Sequence, residues 1–210
     1  MKRLIWDWNG TLFDDVQIGL SSINALLHKY GLHRLSLEEY RNVFEFPVKN
    51  YYRKIGFDFR QTPFEQLAKE YMDYYQPNSV HCQLRNEAMD ALKLAKEKGM
   101  AQCILSASEK TNLMDQLRRF SLDPYIDEIY AIDDMYAYGK EHLAQQIPAN
   151  HPRDELWMIG DSLHDGQVAR EIRAHCLFVS QGHQNVQENP YCVPVLDDLL
   201  ACVEEIYERD

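Results

Sequence analysis

No stretch of this 210-residue chain is apolar over the roughly 20 residues that a membrane-spanning helix needs. The opening residues include Lys2 and Arg3 but lack the apolar run of a secretory signal. Basic residues are in short supply: 22 Lys and Arg face 33 Asp and Glu, for a formal net charge of −11. Such a surface repels phosphate backbones and anionic lipids, so neither nucleic acid nor membrane is an expected partner. Cysteines are few and unpatterned. Cys82, Cys103, Cys176, Cys192 and Cys202 are odd in number and contain no Cys-x-x-Cys, which argues against a disulfide framework or a thiolate zinc site and for reduced thiols in a cytoplasmic protein. Internal repeats and low-complexity tracts are also missing. Length and a 45% apolar content suit one sizeable domain, or a core carrying a smaller insert.

What the chain does have is an early apolar run, Leu4-Ile5-Trp6, that reads as a buried strand ending at Asp7, with Asn9-Gly10 able to turn behind it. Helix signals follow. Asp14-x-x-Gln17 and Ser36-x-x-Glu39 resemble capping boxes, Gly31 stops the first helix, and Thr62-Pro63 with Glu65 starts a third expected to end near Tyr75, before Pro77. No convincing strand lies between residues 14 and 78, so this region is expected to be a helical insert. From about Leu84 the pattern alternates: helix 86–98, strand 102–105, a helix through Met114 and Leu117, strand 128–132, a helix after Lys140, strand 156–159, helix 163–173, strand 176–179 and a terminal helix 196–207. Alternation of this kind predicts an α/β fold with a doubly wound, Rossmann-like parallel sheet. The expected division is an α/β core at 1–13 and 80–210, with an all-α cap at 14–79.

In a parallel sheet all strand carboxyl ends share one edge. That edge collects Asp7, Asn9 and Thr11, then Ser106, then Lys140, then Asp161 and Asp165. Asp7 and Asp161 suit a hard cation such as magnesium, which binds through one or two carboxylates plus substrate phosphate. Lys140 and the Ser106 hydroxyl, with the backbone amides around Ala107 and Ser108, suit a phosphoryl group, leaving an Asp7 oxygen free as nucleophile. Ser108 can contact phosphate or cap the next helix, and Asp133 and Asp134 end a strand at the same edge.

Asp7-x-Asn9-Gly10-Thr11-Leu12, Ser106, Lys140 and Gly160-Asp161-Ser162-x-x-Asp165 closely resemble, in order, the four motifs of the haloacid dehalogenase-like hydrolases. The helical insert directly after the first motif is similar to the cap of the branch containing phosphoglycolate phosphatases and β-phosphoglucomutases. The resemblance implies a phosphoric monoester hydrolase, phosphoglycolate phosphatase-like, acting on a small phosphorylated metabolite through an aspartyl-phosphate on Asp7. By the same resemblance magnesium is held by Asp7, the Asn9 carbonyl and Asp161, Ser106 and Lys140 bind the phosphoryl group, and Asp165 supports the metal or Lys140.

Phosphatases of that family carry a second Asp two residues after the nucleophile as general acid and base; here it is Asn9. An amide cannot deliver that proton, and losing such help typically costs about 10²–10⁴-fold. The expectations are therefore a slowed phosphatase, a phosphatase using a different acid, a catalytically impaired phosphate-ester-binding protein, or a phosphonate hydrolase using Lys49 or Lys54. Asn9-Gly10 is also a pairing prone to deamidation where it is flexible. Within the insert, Arg41, Lys49, Arg53 and Lys54 can read the far end of a substrate or form a solvated face, with Lys49 the best-placed candidate because Phe46-Pro47 fixes the loop before it.

Overall fold

The computed structural model describes residues 1–133, 136 and 139–209; Asp134 lies outside them. In chain order, β1 (Lys2–Trp6) and β2 (Phe13–Asp14) precede the helices α1 (Val16–Lys29), α2 (Leu37–Val43), α3 (Val48–Lys54) and α4 (Phe64–Ser79). The short strand β3 (Gln83–Leu84) pairs antiparallel with β2. Helix and strand then alternate as α5 (Ala88–Glu97), β4 (Ala101–Glu109), α6 (Lys110–Arg119), β5 (Glu128–Ile132), α7 (Glu141–Ala144), α8 (Gln146–Asn150), β6 (Glu155–Gly160), α9 (Leu163–Glu171), β7 (His175–Val179), β8 (Val195–Leu196) and α10 (Leu199–Glu208). The large sheet runs β5-β4-β1-β6-β7-β8, parallel throughout.

The strands are apolar on both faces because both are covered. On one face Leu4, Trp6, Ile104, Trp157 and Ile159 pack with Leu92, Leu117 and Val203 from α5, α6 and α10. On the other, Ile5, Cys103, Leu105 and Met158 meet Ala144, Ile147 and Val168 from α7, α8 and α9. This is the buried parallel sheet the sequence alternation predicts, placed at the centre of an α/β fold. Helices α1 to α4, the expected insert, share an apolar cluster in which Ile23, Leu27, Tyr52, Phe64 and Leu67 are closed off from water.

Three expected boundaries shift. Asp14 does not cap α1 but pairs in β2, and Asp15 stands at the N-cap without a side-chain cap bond, its carboxylate engaged elsewhere. Helix α4 starts after Pro63 with no side-chain cap and continues through Pro77 to Ser79. Pro77 cannot donate to the carbonyl four residues back, yet the helix runs two residues beyond it, so the proline does not end the helix where the sequence suggested. The single helix expected after Lys140 is two short ones, with Pro148 inside the second. The Ser36 and Glu39 side chains do form the reciprocal capping box. None of the described helices is long and apolar enough to cross a membrane, and all five cysteines are unpaired.

Candidate active site

Strand β1 lies between β4 and β6, where the winding direction of the sheet reverses, so its carboxyl end opens onto the crevice between the neighbouring strand ends. The Asp7 amide donates to the Ile159 carbonyl at 2.9 Å, which holds Asp7 in register one residue beyond the strand. Lys140, only 2% exposed, donates to Asp7 Oδ1 and to the Leu105 carbonyl at 3.1 Å, and its Nζ is 2.6 Å from Asp165 Oδ1. The Thr11 hydroxyl lies 3.2 Å from Asp7 Oδ2 and 3.4 Å from Asp161 Oδ1. Asp165 accepts from the Ser162 amide at 3.0 Å and hydroxyl at 2.7 Å, so the first turn of α9 fixes the ion-pair partner of Lys140. Ser106 and Ala107, at the end of β4, open onto the same cavity as Asp7 and Asp161. Gly10 makes the turn possible: its φ is +74°, and a β-carbon there would sit 2.3 Å from Asp161 Oδ2.

Burial is the dominant electrostatic influence here. It pushes the Asp7 carboxyl up to about 8, with Asp165 and Asp161 adding repulsion that the Lys140 charge only partly offsets. Burial and Asp165 likewise raise Asp161 to about 6, against the pull of His183. Asp165 is held below the usual carboxylate range, burial being outweighed by Lys140, and Lys140 is raised by its two carboxylate neighbours despite burial. Ligand atoms of Asp7, Asp161 and Asp165 lie within 4.8 Å of one another. Three buried carboxylates facing one lysine leave uncompensated negative charge, and an all-oxygen donor set of this kind fits a hard divalent cation.

The haloacid dehalogenase-like hydrolase family model matches residues 4–179. The chain belongs to this family. No curated protein matches the sequence. Among solved structures, a predicted phosphatase from Clostridium acetobutylicum superposes with a TM-score of 0.83 at 18% identity, covering 99% of this chain and 98% of that one. A haloacid dehalogenase-like family hydrolase from Streptococcus pneumoniae gives 0.81 at 18%, covering 98% of both chains. A mutant CbbY from Rhodobacter sphaeroides in complex with xylulose-(1,5)bisphosphate gives 0.72 at 17%, covering 95% of each. At such identities the likeness is one of fold.

Asn9, where this haloacid dehalogenase-like hydrolase departs from the phosphatase motif, is fully engaged. Its Nδ2 donates to Asp15 Oδ2 at 2.7 Å and to the Tyr75 hydroxyl at 3.0 Å, and its Oδ1 accepts from the Ser108 hydroxyl at 2.5 Å. Ser108 therefore serves Asn9; the helix cap expected of it is made by Glu109, whose carboxylate accepts from the Thr111 and Asn112 amides. Asp15 is 2% exposed and receives four donors: Asn9 and Tyr75 on Oδ2, the Gly10 amide and His183 Nε2 on Oδ1. A carboxylate has about four acceptor positions, so Asp15 is saturated. Burial works against its charge, but His183, Tyr75 and Asn9 together hold its pKa below the ordinary value, and it is no substitute acid. His183 is the counterpart: burial would lower it, yet Asp15 lifts it to about 9, and as an imidazolium its second nitrogen donates to Tyr40 Oη at 2.7 Å. Its backbone amide donates to Asp161 Oδ2.

The structure does not bring the insert's basic residues into the crevice. Lys49 Nζ lies 5.7 and 5.5 Å from the Phe59 and Phe64 ring centres and does not line the cavity. Arg53 donates to Asn50 at 3.0 Å, and Lys54 pairs with Glu45. Arg41 donates to the Gly182 and Gln181 carbonyls at 2.9 and 2.6 Å, tying α2 to the loop after β7, where Gln184 answers with a 2.7 Å bond to the Phe44 carbonyl. Asp15, Tyr40, Tyr75 and His183 were not singled out from the sequence. His183 had a signal: it follows β7, another strand ending at the same edge.

Proposed function

We propose that the protein is a magnesium-dependent phosphatase that hydrolyses a small phosphorylated compound through an aspartyl-phosphate on Asp7, with turnover lowered by Asn9. The observation that carries this reading is the meeting of Asp7, Lys140, Asp161 and Asp165 at one sheet edge. An Asp7 oxygen attacks phosphorus and the ester P–O bond breaks. The departing oxygen takes its proton from water, because the Asn9 amide cannot supply one. Water then cleaves the acyl phosphate, releasing inorganic phosphate and restoring Asp7. Lys140 and Ser106 neutralise and orient the transferring group. Magnesium, held by Asp7, the Asn9 carbonyl and Asp161 with Asp165 behind them, would keep Asp7 ionised and screen the charge of the phosphoryl oxygens. Hydrolysis of 4-nitrophenyl phosphate with magnesium tests this. Asp7→Ala is expected to lower kcat by at least about 10³-fold, and equal rates for the two proteins would refute it.

A second reading, binding of a phosphate ester without turnover, is favoured by the saturation of Asn9 and Asp15, which leaves neither as a proton donor. Ester binding without Asp7-dependent phosphate release would select it. Phosphonate cleavage through an insert lysine finds no support, since neither Lys49 nor Lys54 lines the cavity and Lys54 is paired with Glu45.

A further inference from the structure

Between the strand ends and the insert lies a cavity of about 670 Å³ that includes Asp7, Ser106 and Asp161 in its wall. That is the scale of a site for a drug-sized molecule, roughly 300–1,000 Å³, and far larger than a phosphate bearing a two-carbon acid. Its insert side is aromatic: Tyr40, Phe44, Tyr51, Phe64 and Tyr71 line it, with Met72 beside them. Among the described residues, no lysine or arginine of the insert lines it, and the basic candidates Arg41, Lys49, Arg53 and Lys54 are engaged as described above. Arg119 of α6 lines the opposite side, where its guanidinium donates to the Val80 and Cys82 carbonyls and stacks 4.4 Å from the Phe120 ring centre. The Tyr40 and Tyr75 hydroxyls are taken by His183 and Asp15, whereas the buried Tyr51 hydroxyl has no partner among the described residues.

We infer that the site takes the phosphate monoester of an alcohol with a flat aromatic body, and not a compound with a second anionic group. The inference rests on the phosphatase reading for its ester chemistry and on the cavity wall for its class. A carboxylate or second phosphate pressed against the insert side of this wall would lose its water and meet no lysine or arginine lining that side. A planar ring gains apolar burial and offset or edge contacts with the aromatic side chains. A hydrogen-bonding substituent on that ring gives the Tyr51 hydroxyl its missing partner.

Esters with the same CH2–O leaving bond separate recognition from leaving-group reactivity: 2-naphthylmethyl phosphate, a hydroxynaphthylmethyl analogue, butyl phosphate and phosphoglycolate. With magnesium, kcat/KM by phosphate release and Kd by calorimetry on the Asp7→Asn protein are both measured. The naphthylmethyl ester is expected to exceed phosphoglycolate by about ten- to a hundredfold in each. Met72→Lys, on a half-buried wall position, is expected to narrow that gap by weakening the ring ester and favouring phosphoglycolate. Tyr51→Phe should raise the Kd of the hydroxylated ester relative to that of the plain naphthylmethyl ester, a ratio that a general loosening of the wall would not change. Equal or better use of phosphoglycolate overturns the substrate class while leaving a phosphatase. Tighter binding of the ring ester with no turnover of any ester upholds the class and removes the phosphatase. Equal Kd values for ring ester and phosphoglycolate refute the class outright.

Discussion

The two sides of the cavity are built from opposite materials. The strand-end side is ionic: Asp7, Lys140, Asp161 and Asp165 are all buried, Lys140 pairing with Asp7 and Asp165 and the His183 amide holding Asp161. The insert side is aromatic, and among the described residues none of the insert's lysines or arginines lines it. The difference separates the labour of the site, since buried charge acts on a phosphoryl group whatever is attached to it, and an apolar wall chooses what is attached. The two meet in the Asn9–Asp15–His183 chain, where Tyr40 and Tyr75 of the insert bond directly to groups of the ionic side.

The sharpest way to break this contrast is to change Asn9. Asn9→Asp alone places a second carboxyl where the amide now stands, 2.7 Å from Asp15, so the pair must share a proton and the gain in turnover should be small. Asn9→Asp combined with Asp15→Asn removes that conflict and is expected to raise kcat toward the roughly 10²–10⁴-fold that acid–base help supplies. Phosphate release from a primary alkyl ester measures it, and a full gain from the single change would show that Asp15 imposes nothing on Asn9.

A smaller effect is expected from pH. His183 rises from 6.5 to about 9 on folding, so its contribution to stability is complete below pH 6.5 and is lost as pH climbs through about 9. Thermal melts across that range should show wild-type Tm falling more steeply than that of His183→Gln; parallel curves would mean that the ion pair with Asp15 contributes no net stability. Least affected should be Arg41→Ala. It removes two hydrogen bonds from a half-buried guanidinium, and a loss of about 1–2 kcal/mol is expected, with faster amide exchange confined to α2 and the loop after β7.

The ionic side was the more legible in the sequence. Strand ends of a parallel sheet share an edge by topology, so Asp7, Ser106, Lys140 and Asp161 could be placed together although more than 150 positions separate the first from the last. The sheet itself followed from apolar runs alternating with helical periods, while the two-residue β8 carried too little pattern to show. The aromatic side was less legible because Phe64, Tyr71 and Tyr75 recur at helical spacing along α4, which marks a packed face and a cavity wall equally. Asp15 was obscured by its neighbour: Asp14 offered the better capping pattern, and nothing local shows that the next carboxylate turns inward to Asn9. Lys49 illustrates the converse, a lysine near the site in sequence whose stem and charge settle over Phe59 and Phe64.

The grip on Asn9 also governs how the molecule ages. Spontaneous loss of ammonia from an Asn-Gly pair requires the glycine nitrogen to swing onto the side-chain carbonyl carbon and close a five-membered imide. Here that nitrogen is committed to the Phe13 carbonyl at 2.9 Å and to Asp15 at 3.0 Å, and the amide is tethered at both ends. Ring closure is blocked for as long as the fold persists, so old and freshly made protein should carry the same residue at position 9, and the departure from the phosphatase motif is a lasting one.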